Sequence, residues 1–254
     1  MASNIRDITG ITRCTRYSFM PNRLHLCGPE NQADILEFYS RANENNKPKL
    51  ITPILQQFET LYPYLKLIAA ANQEKNPFDE KIIEAYWLGN EKLENVPAAK
   101  LFNHVVDSLK LKKKVGQKEY REFSDKFNKH ALPHHNFHVF SVWRRTGSVK
   151  TPQTLATMDA CRISCGQITG ISPVSLTAKT KPLAADRNGR IKESDFFVER
   201  EILNYFEGNI LLKNLKIGDY ISLHWGCVCE KLTKNQVANL QKYTDLSLMY
   251  AINL

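Results

Sequence analysis

Apolar positions in the first half of the chain recur at steps of three and four. Ile54, Leu55, Phe58, Leu61, Tyr62, Leu65 and Ile68 fall on one side of a helix. Thr52-Pro53 ahead of them reads as its start, a hydroxyl N-cap followed by proline at the first helical position. A second helix is predicted from Asp79, after the break Asn76-Pro77-Phe78, with Ile82, Ile83, Tyr86, Trp87 and Leu93 sharing a side. Further helical segments are predicted near 31–43, 98–110 and 117–129, so residues 30–130 read as a helical bundle.

The pattern changes after Pro133. The run from His134 to Trp143 is rich in aromatic and β-branched residues and stops at Thr146-Gly147, which predicts a strand. Strand-like stretches follow at 160–169, 172–180 and 218–230, separated by turn formers at Asp186–Gly189 and Ile217–Asp219. Thr233-Lys234-Asn235-Gln236 fits a capping box, and Val237, Leu240 and Tyr243 form the apolar face behind it. The expected fold class is α+β. A mainly helical domain, residues 1–156, ends in a His-rich strand, and a small β-barrel, residues 157–254, is closed by a C-terminal helix.

Composition narrows the classes. With 43% apolar and 24% charged residues the chain is an ordinary globular one, and no apolar run is long enough to span a bilayer. The N-terminus has no apolar secretory core, and six cysteines in 254 residues then read as reduced thiols. A cytoplasmic protein without a membrane partner is expected. The net charge is +9, of which residues 157–254, with 12 basic and 10 acidic side chains, carry +2. The densest basic stretch, Lys110–Lys114 with Leu111 inside it, sits at a predicted helix end, where cations oppose the helix dipole. It reads as a solvated turn, and no nucleic-acid partner is expected. No Gly-rich phosphate loop is present.

Several side chains could carry chemistry. His134 and His138, four residues apart, would share a face, whereas His135 would point elsewhere from a strand. Two imidazoles on one face make a metal pair, which Cys27, Glu84 or His25 could complete, or a hydrogen-bonded polar cluster. The turn-rich run Met20–Pro29, which holds Arg23, His25 and Cys27, could line a pocket or simply stiffen the chain. Cys161, Cys165, Cys227 and Cys229 could supply four thiolates to zinc. Their C-x3-C and C-x-C spacings are not the usual C-x2-C knuckles, however, and strand alternation puts His224 opposite Cys227 and Cys229.

Two segments carry a resemblance. Cys161-Arg162-Ile163-Ser164-Cys165-Gly166-Gln167-Ile168 resembles the opening strand of the HypC/HupF chaperones of nickel–iron hydrogenase maturation. Lys216–Gly226, with its Gly218-Asp219-Tyr220 turn and His224 two before Gly226, resembles that family's second signature, and the capped helix follows as in the family. The resemblance covers about the last 95 residues. It implies an OB-like barrel that holds iron, carrying cyanide and carbon monoxide, on Cys161 and His224. It also implies delivery to a hydrogenase large-subunit precursor or to other maturation proteins. A soft thiolate and a borderline imidazole both suit low-spin iron, with zinc the less expected metal. Here Cys161 is internal, whereas the family's cysteine follows the initiator methionine. The whole chain also resembles an uncharacterised bacterial family carrying the Asn-Arg-Leu, Tyr-Trp-x-Gly-Asn and His-His-x-Phe-His motifs.

The expectation is therefore an accessory factor for hydrogenase metal-centre assembly that binds iron through Cys161 and His224. Two alternatives stand beside it: a metalloenzyme centred on His134 and His138, able to supply an iron ligand, and an interaction protein without chemistry. Whether the chain is an enzyme is left open by its sequence.

Overall fold

The structure, a computed structural model, describes residues 2–40, 48–127, 130–143 and 154–251. It is mixed α+β, with a helical N-terminal part and a strand-rich C-terminal part. The helices are α1 (Ala2–Arg23), α2 (Ala33–Ser40), α3 (Pro48–Gln56), α4 (Leu61–Ala71), α5 (Glu80–Trp87), α6 (Ala98–Asn103), α7 (Leu111–Lys114), α8 (Gln117–Lys126), α9 (His135–Phe137) and α10 (Leu155–Cys161). Two of them widen at their C-terminal ends into π turns, α6 through His104–Ser108 and α9 through His138–Val142. Among the described residues no helix is long and apolar enough to cross a membrane.

The expected single helix after Thr52-Pro53 is two helices. Thr52 and Pro53 lie within α3, and residues 57–60 turn the chain into α4. Ile54, Leu55, Phe58, Leu61, Leu65 and Ile68 are nonetheless all buried, because the spacing records which side meets the core rather than whether the helix is continuous. Asp79 caps α5 as predicted, accepting from Lys81 N–H at 2.8 Å. Lys112, Lys113 and Lys114 are exposed on α7.

The predicted strand over 134–143 is helical instead. His134 caps it, its Nδ1 accepting the Asn136 N–H at 3.2 Å. Every residue from Pro133 to Val142 is buried. A segment enclosed on all sides shows neither helical nor strand alternation, which is why its composition misled. The proposed stop at Thr146-Gly147 lies outside the described residues.

Among the described residues nine strands follow α10: β1 (Ser164–Ile171), β2 (Ser175–Thr180), β3 (Leu183–Ala185), β4 (Ile191–Glu193), β5 (Val198–Leu203), β6 (Tyr205–Phe206), β7 (Asn209–Ile210), β8 (Tyr220–His224) and β9 (Cys227–Leu232). Five of them close on themselves in the order β1-β2-β5-β9-β8, with β8 returning to β1. All pairs are antiparallel except β5–β9, which meet in parallel at Leu203 and Cys227. β3–β4 and β6–β7 form separate two-stranded pairs. The stretch predicted at 218–230 is two strands joined by Trp225-Gly226, both at positive φ (53° and 71°), as a two-residue hairpin turn requires. The strand predicted over 160–169 begins only at Ser164, so Cys161 ends a helix instead. Thr233 caps α11 (Lys234–Leu248) through a capping box with Gln236, as its sequence predicts.

One hydrophobic core runs through both parts, joining Tyr17, Leu65 and Trp87 to Ile168, Ile221 and Leu232. Helix α1 covers β8 and β9. Arg13 Nε lies 3.0 Å from Glu230 Oε2, and the Tyr17 hydroxyl donates to Glu230 Oε1 at 2.7 Å. The seam between helices and barrel is thus buried and pinned by charge-assisted bonds.

Candidate metal centre at the seam

Four local devices bring three distant residues together. His135 opens α9, Cys161 closes α10 and His224 closes β8. Asn136 pairs with the backbone beside Cys161: its Nδ2 donates to Ile163 O at 2.9 Å, and Ile163 N–H donates to its Oδ1 at 2.8 Å. The same Nδ2 donates to Thr244 Oγ1 at 2.8 Å, tying α11 to the arrangement. From the barrel side, Trp225 N–H donates to Ala160 O at 2.7 Å, which draws the β8–β9 turn onto the end of α10. Behind Cys161, the fully buried Arg162 pairs with Asp159 at 2.9 Å and with Glu193 at 2.5 Å, fixing where the helix ends.

One ring nitrogen each from His135 and His224, together with the Cys161 sulfur, all lie within 4.8 Å of one another. Backbone carbonyls only accept, so the carbonyls they meet fix both imidazole tautomers. His224 Nδ1–H donates to Tyr17 O at 2.7 Å. Its Nε2 therefore carries the lone pair; it is buried, faces the neighbourhood of the Cys161 carbonyl and makes no hydrogen bond. His135 Nε2–H donates to Cys161 O at 3.0 Å, and its Nδ1 accepts from the Tyr86 hydroxyl at 3.2 Å. Anchoring one imidazole nitrogen on a carbonyl while the other stays free is the outer-shell arrangement of metal-bound histidine.

Aromatic rings wall the group. Trp87 lies 4.7 Å from the His135 ring and 5.6 Å from that of His224, and Tyr17 stacks on Trp87 at 4.9 Å. Gly89 makes room behind that wall. It ends α5 at φ +86°, its N–H donating to Glu84 O at 3.0 Å, and any Cβ there would overlap the Tyr243 ring.

Burial sets the protonation. It lowers His224 to about 4, against the raising effect of the Tyr17 and Cys161 carbonyls, and it lowers His135 well below its ordinary range. Both rings are neutral near pH 7 and able to donate an electron pair. Burial pushes the Cys161 thiol up, with Cys27 adding to the shift and the Trp225 indole opposing it. An empty site therefore holds a thiol, and a cation that binds must displace its proton. His135 and His224 are buried, and Cys161 and Trp225, as whole residues, are half-buried.

A neutral imidazole with an unpartnered nitrogen beside a thiol fits a transition-metal ion, and two nitrogens with one sulfur are a donor set for iron or zinc. Cys161 and His224 would hold it, with further coordination positions left open.

The other sequence candidates lie elsewhere. His134 is the cap of α9, stacked 6.0 Å from Tyr243 with its Nε2 unpartnered. His138 points at Tyr64, Nδ1 3.4 Å from the hydroxyl, beside His104. The two rings meet different partners, although His138 N–H donates to His134 O at 3.2 Å one turn away. Cys27 is half-buried and lies outside the three-residue group; burial pushes its thiol up to about 11. Glu84, buried on α5, pairs with Lys81 at 2.9 Å and accepts from Gln236 Nε2 at 3.1 Å. Cys227 and Cys229 are buried in β9, and Cys165 is half-buried on β1 near Glu193. Sequence reasoning set His135 aside on strand parity. The signal that could have recovered it is Pro133-His134, a helix-entry pair with a side chain able to cap.

The model of DUF6390, a family of unknown function, matches residues 6–253. No curated protein and no solved structure matches the chain.

Proposed function

The chain belongs to DUF6390, a family of unknown function, and from that premise we propose that it is an accessory factor that holds iron as cargo at the seam. The iron, bare or already carrying cyanide and carbon monoxide, would sit on Cys161 and His224 and pass to a hydrogenase large-subunit precursor or another maturation protein. The observation that carries this reading is the convergence of Cys161 and His224, 63 positions apart, with the buried His224 Nε2 making no hydrogen bond.

Three further features support it. Residues 157–254 resemble the HypC/HupF chaperones in the two signatures that contribute these residues. The strand order β1-β2-β5-β9-β8, with one parallel closure, is that of an OB-like Greek-key barrel, closed here by α11. The donor set is also suited to a carrier: few protein ligands leave positions for diatomic groups and for a receiving protein, and a thiol that can be reprotonated favours release. The metalloenzyme alternative at His134 and His138 lacks a comparable convergence.

The test is anaerobic purification from the native host, followed by metal analysis and infrared spectroscopy of wild type and Cys161→Ala. Iron with cyanide and carbonyl stretching bands, lost in the variant, is the expected result. Protein whose bound metal is zinc alone, or which holds no metal and shows no bands, overturns the carrier reading.

A further inference from the structure

We propose that His135, contributed by the helical part, is a third protein ligand of the seam site, and that the Tyr86 hydroxyl occupies its donor nitrogen until metal arrives. This rests on the seam group being a metal site, and it adds a residue that neither barrel signature contains.

Geometry carries it. His135 lies in the same 4.8 Å group as Cys161 and His224, and its ring meets that of His224 edge to face at 5.1 Å. The two imidazoles are anchored alike, each by an N–H on a backbone carbonyl, and the carbonyl holding His135 is that of Cys161 itself. They differ in the second nitrogen. That of His224 is vacant, whereas that of His135 accepts from Tyr86. Ligation through Nδ1 leaves the Cys161 anchor intact and requires the Tyr86 ring to move aside with its hydroxyl.

The consequence is mechanical. Cys161 and His224 belong to the barrel and its leading helix, but His135 belongs to α9, clamped on the other side by Asn136. A cargo bound by all three staples the seam shut, and its release requires α9 to give way.

The test is anaerobic titration of the full-length metal-free protein with cobalt(II), whose sulfur-to-cobalt charge-transfer band reports Cys161 and whose d–d bands report ligand number. His135→Ala is expected to keep the charge-transfer band, bind at least about tenfold more weakly and shift the d–d bands, a loss no smaller than that of an outer-shell partner. Tyr86→Phe removes the competing hydroxyl and is expected to bind about threefold tighter or more. His135→Ala with wild-type affinity and d–d bands overturns the third ligand, and the Cys161 and His224 carrier survives. Where His135→Ala fails to fold, Tyr86→Phe decides: tightening supports the inference, and unchanged or weaker binding overturns it. Cobalt binding that depends on His135, in a protein that carries no iron in its host, leaves the third ligand standing and removes the carrier reading.

Discussion

The protein buries two groups of histidines around tyrosines, and they differ in what surrounds the rings. At the seam, His135 and His224 each donate one N–H to a backbone carbonyl, and Cys161 brings a sulfur from a third element. Inside the helical part, His104 and His138 flank Tyr64, 4.5 and 5.6 Å from its ring, with no thiol among the partners they show. The charges also differ. Lys66 acts on His104 and Lys114 on His138, each lowering the pKa further after burial has done so, and the same field would repel a cation. Burial and an unpartnered nitrogen are common to both groups, since His104 Nε2 is as orphaned as His224 Nε2. What separates a metal centre from a packed histidine pair is the carbonyl anchor that aims each lone pair, together with a soft donor arriving from elsewhere.

The largest effect expected from this contrast is in metal binding. Cys161→Ala should remove the cobalt charge-transfer band entirely, whereas His138→Ala should titrate like wild type and lose only stability, by about 1–3 kcal/mol for a buried polar ring deleted from the core. Titrations of both variants check it. A charge-transfer band that survives in the first, or disappears in the second, would erase the distinction between the two groups.

Next come the supports of the seam. Gly89→Ala places a methyl in the Tyr243 ring at a backbone angle that L residues rarely take. Strain and overpacking together should cost about 2–5 kcal/mol in denaturant unfolding. Asn136→Ala strips both backbone groups of Ile163 and the Thr244 hydroxyl of a buried partner, and should cost about 2–4 kcal/mol. It also frees the chain next to both His135 and Cys161, so cobalt affinity should fall with stability. Affinity that holds at its wild-type value while stability drops would show that the seam keeps its geometry without this clamp.

How much of this was legible in the sequence depends on whether an element has an outside. Strands β1 and β2 alternate between buried and less buried positions, and their stretches were readable, as were the caps at Asp79 and Thr233. Residues 134–143 have no exposed side, so aromatic and β-branched content pointed to a strand where a capped helix stands. That error propagated into the chemistry. On a strand, His135 turns away from His134 and His138, and the four-residue spacing of the latter pair invited a shared site. In the structure His134 is spent as a cap, and His135 meets Cys161 and His224. Cys161 and His224 were found because a resemblance marked them; neither spacing nor periodicity joins positions 63 apart. The third donor required the fold, since only the pairing of Asn136 with Ile163 and the reach of the β8–β9 turn onto α10 place the three together.

The smallest effect is read by pH rather than by metal. Burial holds His104 to about 4, well below the value of ~6.5 for an unfolded histidine. Between these values the unfolded chain binds a proton at this position that the folded chain does not, so stability is full above pH 6.5 and falls as the pH is lowered towards 4. The shift gives each such histidine a slope of at most about 1.4 kcal/mol per pH unit in that window. His138, lowered to about 3, acts in the same direction over a longer range. Replacing His104 with leucine, which fills similar space beside Tyr64 and cannot titrate, should therefore flatten the acid limb of unfolding free energy against pH by about one proton, with little change in cobalt affinity at pH 7. Urea unfolding at intervals from pH 7 to 4 measures that slope. An acid limb as steep as that of wild type would mean that His104 is protonated in the folded protein. The interior group would then be a charged site, and its contrast with the seam would have to rest on the missing thiol alone.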